Sequence, residues 1–389
     1  MQGSSHDNVR RRNLGIILRF VHHNGPASRA QLTRLTGLNR STIGALVAEL
    51  SACGLVEERD PDPTKLVGRP SPVVAASPHV AAFAVHPEID AVTVGLVGLD
   101  GLVHQRIRHS TPKSPTVPEA VAIAATIISE LTTKLAGEYI LVGIGVAVPG
   151  LVRVSDGLVR HAPHLGWTNE PFAELLSSAT GLGVRAANDA SLGVTAERYF
   201  GAGRGVTDLV YLNGGASGIG GGIVVGGVPV RGVAGFAGEF GHVRVSGSDQ
   251  TDSAGIPGTL EFEVRRSALL GVLGLERADA DELERALLAS DAPTVRAEVN
   301  RQLDALAVAL AGAVNLLNPA VVILGGFLAA LYAVDPDRLR VLVSRLSLSA
   351  PNEDARVCAA ALGSDLLMIG AAELCFERLL EDPAGASSS

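Results

Sequence analysis

Aromatic side chains are scarce in this chain. Only 4% of its 389 residues are Phe, Trp or Tyr, and there is a single Trp. Any large core must therefore be built from Ala, Val, Leu and Ile. A balance of 47% hydrophobic to 19% charged residues is that of a globular protein, not a disordered one. Cysteine is nearly absent: Cys53, Cys358 and Cys375 lie far apart. That excludes a disulfide framework and a cysteine-based metal site, and it points to a reducing cytoplasm. No apolar run approaches the ~20 residues needed to span a bilayer. The polar start, Met1 to Arg12, has no signal-peptide core. No membrane partner is expected.

The net charge of −8 is unevenly spread. Residues 1–75 hold ten Lys/Arg against six Asp/Glu, a balance of +4, which leaves −12 for the remainder. A basic head on an acidic body suits a small polyanion-binding module fused to something else.

The head spans residues 1–78. Asn8 to His23 reads as a helix with Val9, Ile16, Ile17 and Phe20 on one face, stopped by Asn24-Gly25-Pro26. Ser28 opens a short helix and Gln31 completes a capping box, with Leu32 and Leu35 as its buried positions. After Gly37, Asn39 caps a third helix, Arg40 to Ala52, with an apolar stripe of Ile43, Leu46, Val47 and Leu50. Helix, glycine turn, helix is a helix-turn-helix, whose second helix would bring Asn39, Arg40, Ser41 and Thr42 to a major groove. Leu55 to Glu58 and Lys65 to Pro72 form the two arms of a wing, with Arg69 placed for a minor groove or a phosphate. Ser28, Gln31, Asn39, Arg40, Ser41, Thr42 and Arg69 are the candidate DNA-binding residues. A helical protein-interaction module is the other reading of this head.

The body, residues 79–389, runs through one pattern twice. Val80 to Val85, Ala91 to Leu99 and Leu102 to Arg108 read as strands, Pro118 to Leu135 as an amphipathic helix, and Tyr139 to Val148 as a buried strand. Leu209 to Leu212, Gly220 to Val225 and Val228 to Val230 repeat the three strands. Helices follow over about 261–288 and 293–317, then a strand, Val321 to Leu324. The order β-β-β-α-β, repeated, predicts an α/β fold: a two-lobed actin-like (ribonuclease-H-like) body. Lobe 1 would cover about 79–190 plus a C-terminal helix, Leu362 to Leu380, and lobe 2 about 191–361. Within the second pass, Gly235 to His242 and Gly255 to Glu261 are glycine-dense and carry Glu239, His242 and Glu261. Carboxylates accept and a neutral imidazole both donates and accepts, so the three could grip a vicinal diol. A glycine-rich surface loop with solvated charges is the plainer reading.

Several motifs in order give the chain a family resemblance. They are Gly68-Arg69-Pro70, Gly143 to Gly150, Asn188-Asp189-Ala190, Gly218 to Gly222, Gly238 to His242, and Asn318-Pro319 leading to Gly325-Gly326. With them the chain resembles the ROK family (repressors, open reading frames and sugar kinases) along almost its whole length, in the subgroup with an N-terminal winged helix. The resemblance implies a sugar site of Asn188, Asp189, Glu239, His242 and Glu261. Asp189 matches the general base that takes a proton from the attacking sugar hydroxyl in the family's kinases.

Two departures from the pattern bear on function. The kinases open the first lobe with D-x-G-G-T, where this chain has His86-Pro87-Glu88-Ile89-Asp90. Phosphoryl transfer rests on positioning and charge neutralisation, so a proline and an added carboxylate here predict a body that is no longer an enzyme, with Asp189 a vestigial base. The family's zinc pattern, G-H then C-x-C-G-x-x-G-C-x-E, has Asp252, Ala254 and Thr259 at its three cysteine positions. One His and one Asp cannot supply about four ligands. No metal and no cofactor are expected, and the loop from Val245 to Pro257 is expected to be mobile.

These readings converge on a sugar-responsive DNA-binding transcriptional regulator, a repressor, cytoplasmic and at least dimeric. Its partners would be a palindromic double-stranded DNA operator and a sugar or sugar phosphate, with a homodimer or homotetramer as the working form. The alternatives are an ATP-dependent kinase of the glucokinase or N-acetylmannosamine kinase type with an accessory DNA-binding domain, and a regulator that answers to a protein partner.

Overall fold

A computed structural model describes residues 3–59, 72–215 and 218–385. The head is built on local signals. Helix α1 (Gly3–Asn24) leads into β1 (Ala27–Ser28), α2 (Arg29–Thr36), α3 (Arg40–Ala52), β2 (Val56–Arg59) and β3 (Val73–Ala76). Ser28 Oγ accepts from the Gln31 amide, and Gln31 Oε1 accepts from the Ser28 amide at 2.8 Å, closing the capping box. Gly37 takes the left-handed conformation (φ 69°) that ends α2. Asn39 Oδ1 then accepts from the Thr42 amide at 2.8 Å and starts α3, whose Ile43, Leu46, Val47 and Leu50 are all buried. The three strands pair in the order β1-β3-β2, both pairs antiparallel. Residues 60–71, with Arg69 and most of the expected wing, lie outside the described residues.

Two apolar assignments in the head need correction. On α1, Val9 (56% exposed) and Ile16 (42%) face solvent, and the buried stripe is Leu14, Ile17, Leu18 and Val21. On α2, Leu35 is 57% exposed, because a helix of eight residues turns only Leu32 into the core.

The chain divides into two compact units. The first holds the head, residues up to 147, 171–186 and 371–389. Beyond the head come the antiparallel strands β4 (Val80–Pro87), β5 (Ala91–Gly98) and β6 (Val103–Ser110), helix α4 (Val117–Lys134), and β7 (Ile140–Val148), which pairs parallel to β4. Strands β8 (Leu151–Arg153), β9 (Leu158–Ala162) and β10 (Trp167–Glu170) form a small meander that belongs to the second unit. Helix α5 (Phe172–Thr180) and β11 (Val184–Asn188) complete a sheet of order β11-β7-β4-β5-β6.

The second unit continues with α6 (Asp189–Phe200), then β12 (Leu209–Gly215), β13 (Gly218–Val225) and β14 (Val228–Pro229). The helices α7 (Leu260–Glu263), α8 (Arg266–Leu273), α9 (Ala280–Ala289) and α10 (Pro293–Leu317) follow, then β15 (Val321–Gly326), α11 (Phe327–Val334), α12 (Pro336–Leu346), α13 (Ser349–Glu353) and β16 (Arg356–Ala359). The last helix, α14 (Leu366–Glu381), starts in this unit and returns to the first from residue 371 onward. The sheet of the second unit runs β14-β13-β12-β15-β16, with β12, β13 and β14 antiparallel and β15 parallel to β12. Third-second-first-fourth-fifth is the order of both sheets, so the repeated plan expected from the sequence is present. Aliphatic side chains of α10, β12, β15 and α11 form the core under this sheet.

Candidate functional site

Five residues spread over 74 positions of sequence line one cavity of about 270 Å³ in the second unit: Asn188, Asp189, Glu239, His242 and Glu261. Asn188 is placed by its own hydrogen bonds. Its Oδ1 accepts from the Ser191 amide at 3.0 Å as the cap of α6, and its Nδ2 donates to the Gly150 carbonyl at 3.0 Å. Asp189 follows as the first residue of α6 and accepts from the Ala190 amide at 2.8 Å. The positive end of a helix suits a carboxylate at that position.

Glu239, His242 and Glu261 reach the cavity because glycine backbone lets the chain pack tightly behind them. A side chain at Gly241 would strike the Ile219 carbonyl, and one at Gly218 (φ 120°) would strike the Glu261 carboxylate. Glu261 accepts from the Ile219 amide at 3.2 Å and the Ser253 hydroxyl at 2.7 Å. Burial raises the Glu239 pKa, Asp189 and Glu261 add to the rise, and His242 opposes it. Three carboxylates and three imidazoles, those of His161, His164 and His242, therefore line one small space. The carboxylates accept hydrogen bonds from hydroxyls and oppose a phosphate, while the imidazoles can donate as well as accept.

The loop from Val245 to Pro257 corrects the expectation of a mobile segment. His242 Nδ1 lies 2.8 Å from Asp252 Oδ2, and Asp252 Oδ1 accepts from the Ala254 and Ile256 amides at 2.9 Å each. Bridges Arg244↔Thr259 and Thr251↔Pro257 close the loop at two levels. Hydrogen bonds hold it. A zinc ion does not fit this donor set, since Asp252 is committed to His242 and two amides, and Ala254 and Thr259 offer no thiolate.

Sequence reasoning missed four polar residues that line the same cavity: His161, His164, Asn213 and Ser253. The two histidines sit on the β8–β10 meander and the turn after β9, a region that carried no periodic signal. Asn213 is placed by Tyr211, a fully buried phenol that donates to its Oδ1 at 3.1 Å.

In the first unit, His86 to Asp90 forms the end of β4 and a tight turn. His86 Nδ1 donates to the Ala147 carbonyl at 2.8 Å. Arg108 bridges both carboxylates, meeting Glu88 at 3.2 Å and Asp90 at 2.7 Å, and the Thr93 hydroxyl donates to Glu88 at 3.0 Å. In the head, Asn39, Arg40 and Ser41 are exposed at the start of α3, with Thr42 half-buried beside them. Ser28 and Gln31 are engaged with each other at the start of α2. Arg29, on the same helix, is held bidentate by Glu58 at 2.6 Å.

A helix-turn-helix head with a β-hairpin, joined to a twice-repeated β-β-β-α-β body, defines a class: a DNA-binding module on a sugar-kinase-type fold. The comparisons agree with it. The ROK family model matches residues 89–378, and the MarR family model matches residues 15–65. The chain belongs to the ROK family. It is 26% identical to the xylose repressor of Bacillus subtilis strain 168 over 377 residues, covering 96% of this chain and 97% of the repressor. It is 30% identical to the glucokinase of Thermotoga maritima over 305 residues, which covers 74% of this chain and 94% of the kinase. A solved ROK family transcriptional regulator, a homologue of E. coli Mlc, shares the fold with TM-score 0.78 at 21% identity, covering 96% and 97% of the two chains.

Proposed function

We propose that the protein is a sugar-responsive DNA-binding repressor whose kinase-type body binds a neutral sugar without phosphorylating it. The observation that carries the reading is the convergence of Asn188, Asp189, Glu239, His242 and Glu261 on one cavity, in a chain that also carries a winged-helix head. With three carboxylates lining the cavity, a neutral sugar is favoured over a sugar phosphate. The relatives named xylose repressor put xylose first among candidates. The turn at His86 to Asp90 supports the loss of catalysis: Arg108 is engaged by Glu88 and Asp90, so the turn presents paired carboxylates where a kinase needs a phosphate cradle. Asn39, Arg40, Ser41, Thr42 and Arg69 would contact a palindromic operator, with two copies of the chain reading its two halves in the cytoplasm.

Calorimetry with a panel of neutral sugars and their phosphates, followed by operator binding with and without each hit, tests the proposal. One neutral sugar should bind and change operator affinity, and the same protein with ATP and magnesium should release no ADP above background. Sustained sugar-dependent turnover would make it a kinase instead.

A further inference from the structure

Neither the sugar cavity nor the face of α3 uses a buried cluster where α1 meets α14. His22 and His23, near the end of α1, are 2% and 9% exposed, and Glu373 on α14 is 7% exposed. His22 Nδ1 lies 2.5 Å from the Leu99 carbonyl oxygen, and its Nε2 lies 2.7 Å from Glu373 Oε1. A carbonyl can only accept, so Nδ1 carries a hydrogen. The second nitrogen meets a carboxylate, so it also donates, and the ring is an imidazolium between two acceptors. His23 Nε2 reaches the other carboxylate oxygen at 3.1 Å and, facing an acceptor, donates to it. The Phe376 ring meets His22 edge-on at 5.4 Å.

Charges around the cluster agree with that assignment. Burial works against a proton on His22, but Glu373, the Leu99 carbonyl and Asp100 outweigh it and raise its pKa. Burial also lowers His23, and His22 and Arg19 push the same way against Glu373. Burial works against ionisation of Glu373 too, yet the two imidazoles hold its pKa below the ordinary carboxylate value.

The two helices run antiparallel through this joint. Gly15 packs against the Leu380 carbonyl, where an added Cβ would come within 2.5 Å, and His22 meets Glu373. The contacts are seven residues apart on each helix, two turns along one face. At its other end, α14 rests on the helix that carries the sugar-site residues. Gly370 packs against the Leu192 carbonyl of α6, again with only 2.5 Å for an added Cβ. Asn188 caps α6 and Asp189 begins it, and Glu197 of the same helix accepts from the Ala361 and Leu362 amides at 2.9 and 3.0 Å, just before α14. The first turn of α14, up to residue 370, thus belongs to the unit that holds α6, and its remainder to the unit that holds α1.

We propose that His22 and Glu373 are a positioning pair through which α14 couples the state of the sugar site to the DNA-binding head. This rests on the proposed function and names the part of the chain that carries its regulation. The coupling requires the charged form of the pair. It is present while His22 is protonated, and it is lost as pH rises through the raised pKa of His22.

Glu373→Gln provides the test. The neutral amide of that variant can donate to Nε2 of a neutral His22 whose Nδ1 still bonds Leu99, so packing survives while the charge goes. The full chain is titrated with operator DNA, with and without the sugar found by calorimetry, from about pH 6 to about pH 9. In the wild type, sugar should change operator affinity roughly tenfold, within the ordinary range of coupling, and the change should fade toward pH 9. In the Glu373→Gln variant it should be reduced and independent of pH, with sugar affinity within about twofold of wild type. A response identical to wild type at every pH overturns the proposal.

The joint can be read without any sugar, which separates its failure from a failure of the proposed function. Nitrogen-15 spectra of histidine-labelled protein should show His22 protonated on both nitrogens at pH 7 in the wild type and on one in the variant. A neutral His22 in the wild type overturns the proposal. The donor atoms of His22, His23 and Glu373 lie within 4.8 Å of one another, so chelator-treated protein is also titrated with zinc. Stoichiometric uptake that Glu373→Gln abolishes would replace the proton with a metal, and would overturn the proposal as well.

Discussion

His242 Nδ1 sits 2.8 Å from Asp252 Oδ2, a residue whose side chain is wholly covered. The pair ties the imidazole of the proposed sugar cavity to the loop that ends at Glu261. Burial disfavours a charge on His242, but the Asp252 hydrogen bond and the carboxylates of Glu261 and Glu239 raise its pKa. Burial also opposes ionisation of Asp252, yet His242, the Thr259 hydroxyl and the loop amides lower its pKa. A raised histidine contributes stability in full below its unfolded pKa and loses it as pH rises through the folded one. A lowered aspartate contributes above its unfolded pKa and loses it as pH falls. The stabilisation removed by Asp252→Asn should therefore be greatest between about pH 4 and about pH 6.5. Thermal unfolding of both proteins across that range checks it, and a pH-independent difference would contradict the pairing.

What can be read in the sequence follows how local the physics is. Ser28, Gln31 and Asn39 announce caps through bonds three residues long, and both helices start where expected. The buried face of α1 is ambiguous in sequence because Val9 and Ile16 share a helical spacing, while the burying partners, β3 and α14, come from elsewhere in the chain. The residues of the proposed sugar site are legible as a resemblance. The loop is not: that Asp252 becomes its organising side chain depends on two amides and an imidazole brought together only by folding.

Asn188 and Asp189 are adjacent, but they do different things, and substitution should separate them. Asn188→Ala removes the α6 cap, costing about 0.5–2 kcal/mol, and frees the Gly150 carbonyl. It should lower both the melting temperature and sugar affinity. Asp189→Asn keeps an acceptor for the Ala190 amide and should leave melting nearly unchanged while weakening sugar binding about tenfold. Calorimetry and thermal unfolding on the same preparations decide the matter. Equal losses of stability would mean that the two residues share a structural role.

Two arginines of the head make a second contrast. Arg40, exposed at the first residue of α3, has an open approach to a groove, and Arg40→Ala should cost about 1–3 kcal/mol of operator binding without altering the melt. Arg29 is bound bidentate to Glu58 across to β2. Arg29→Ala should instead destabilise the head and weaken every DNA sequence alike. Fluorescence anisotropy with operator and scrambled duplexes at two salt concentrations separates the two outcomes.

Gly15 and Gly312 both lie inside helices, where alanine is ordinarily the better residue by about 1 kcal/mol. Their surroundings reverse the sign for one of them. An added Cβ at Gly312 meets nothing within 4 Å, so Gly312→Ala should stabilise by up to about 1 kcal/mol. At Gly15 the same methyl would lie 2.5 Å from the Leu380 carbonyl oxygen. Backbone cannot swing aside as a side chain can, and overpacking of this kind costs about 1–3 kcal/mol, more than the propensity gain. Gly15→Ala should therefore destabilise and push α1 away from α14. Urea unfolding of the two variants should show opposite shifts in midpoint. Stabilisation by both would mean that α1 and α14 are not packed backbone to backbone at this point.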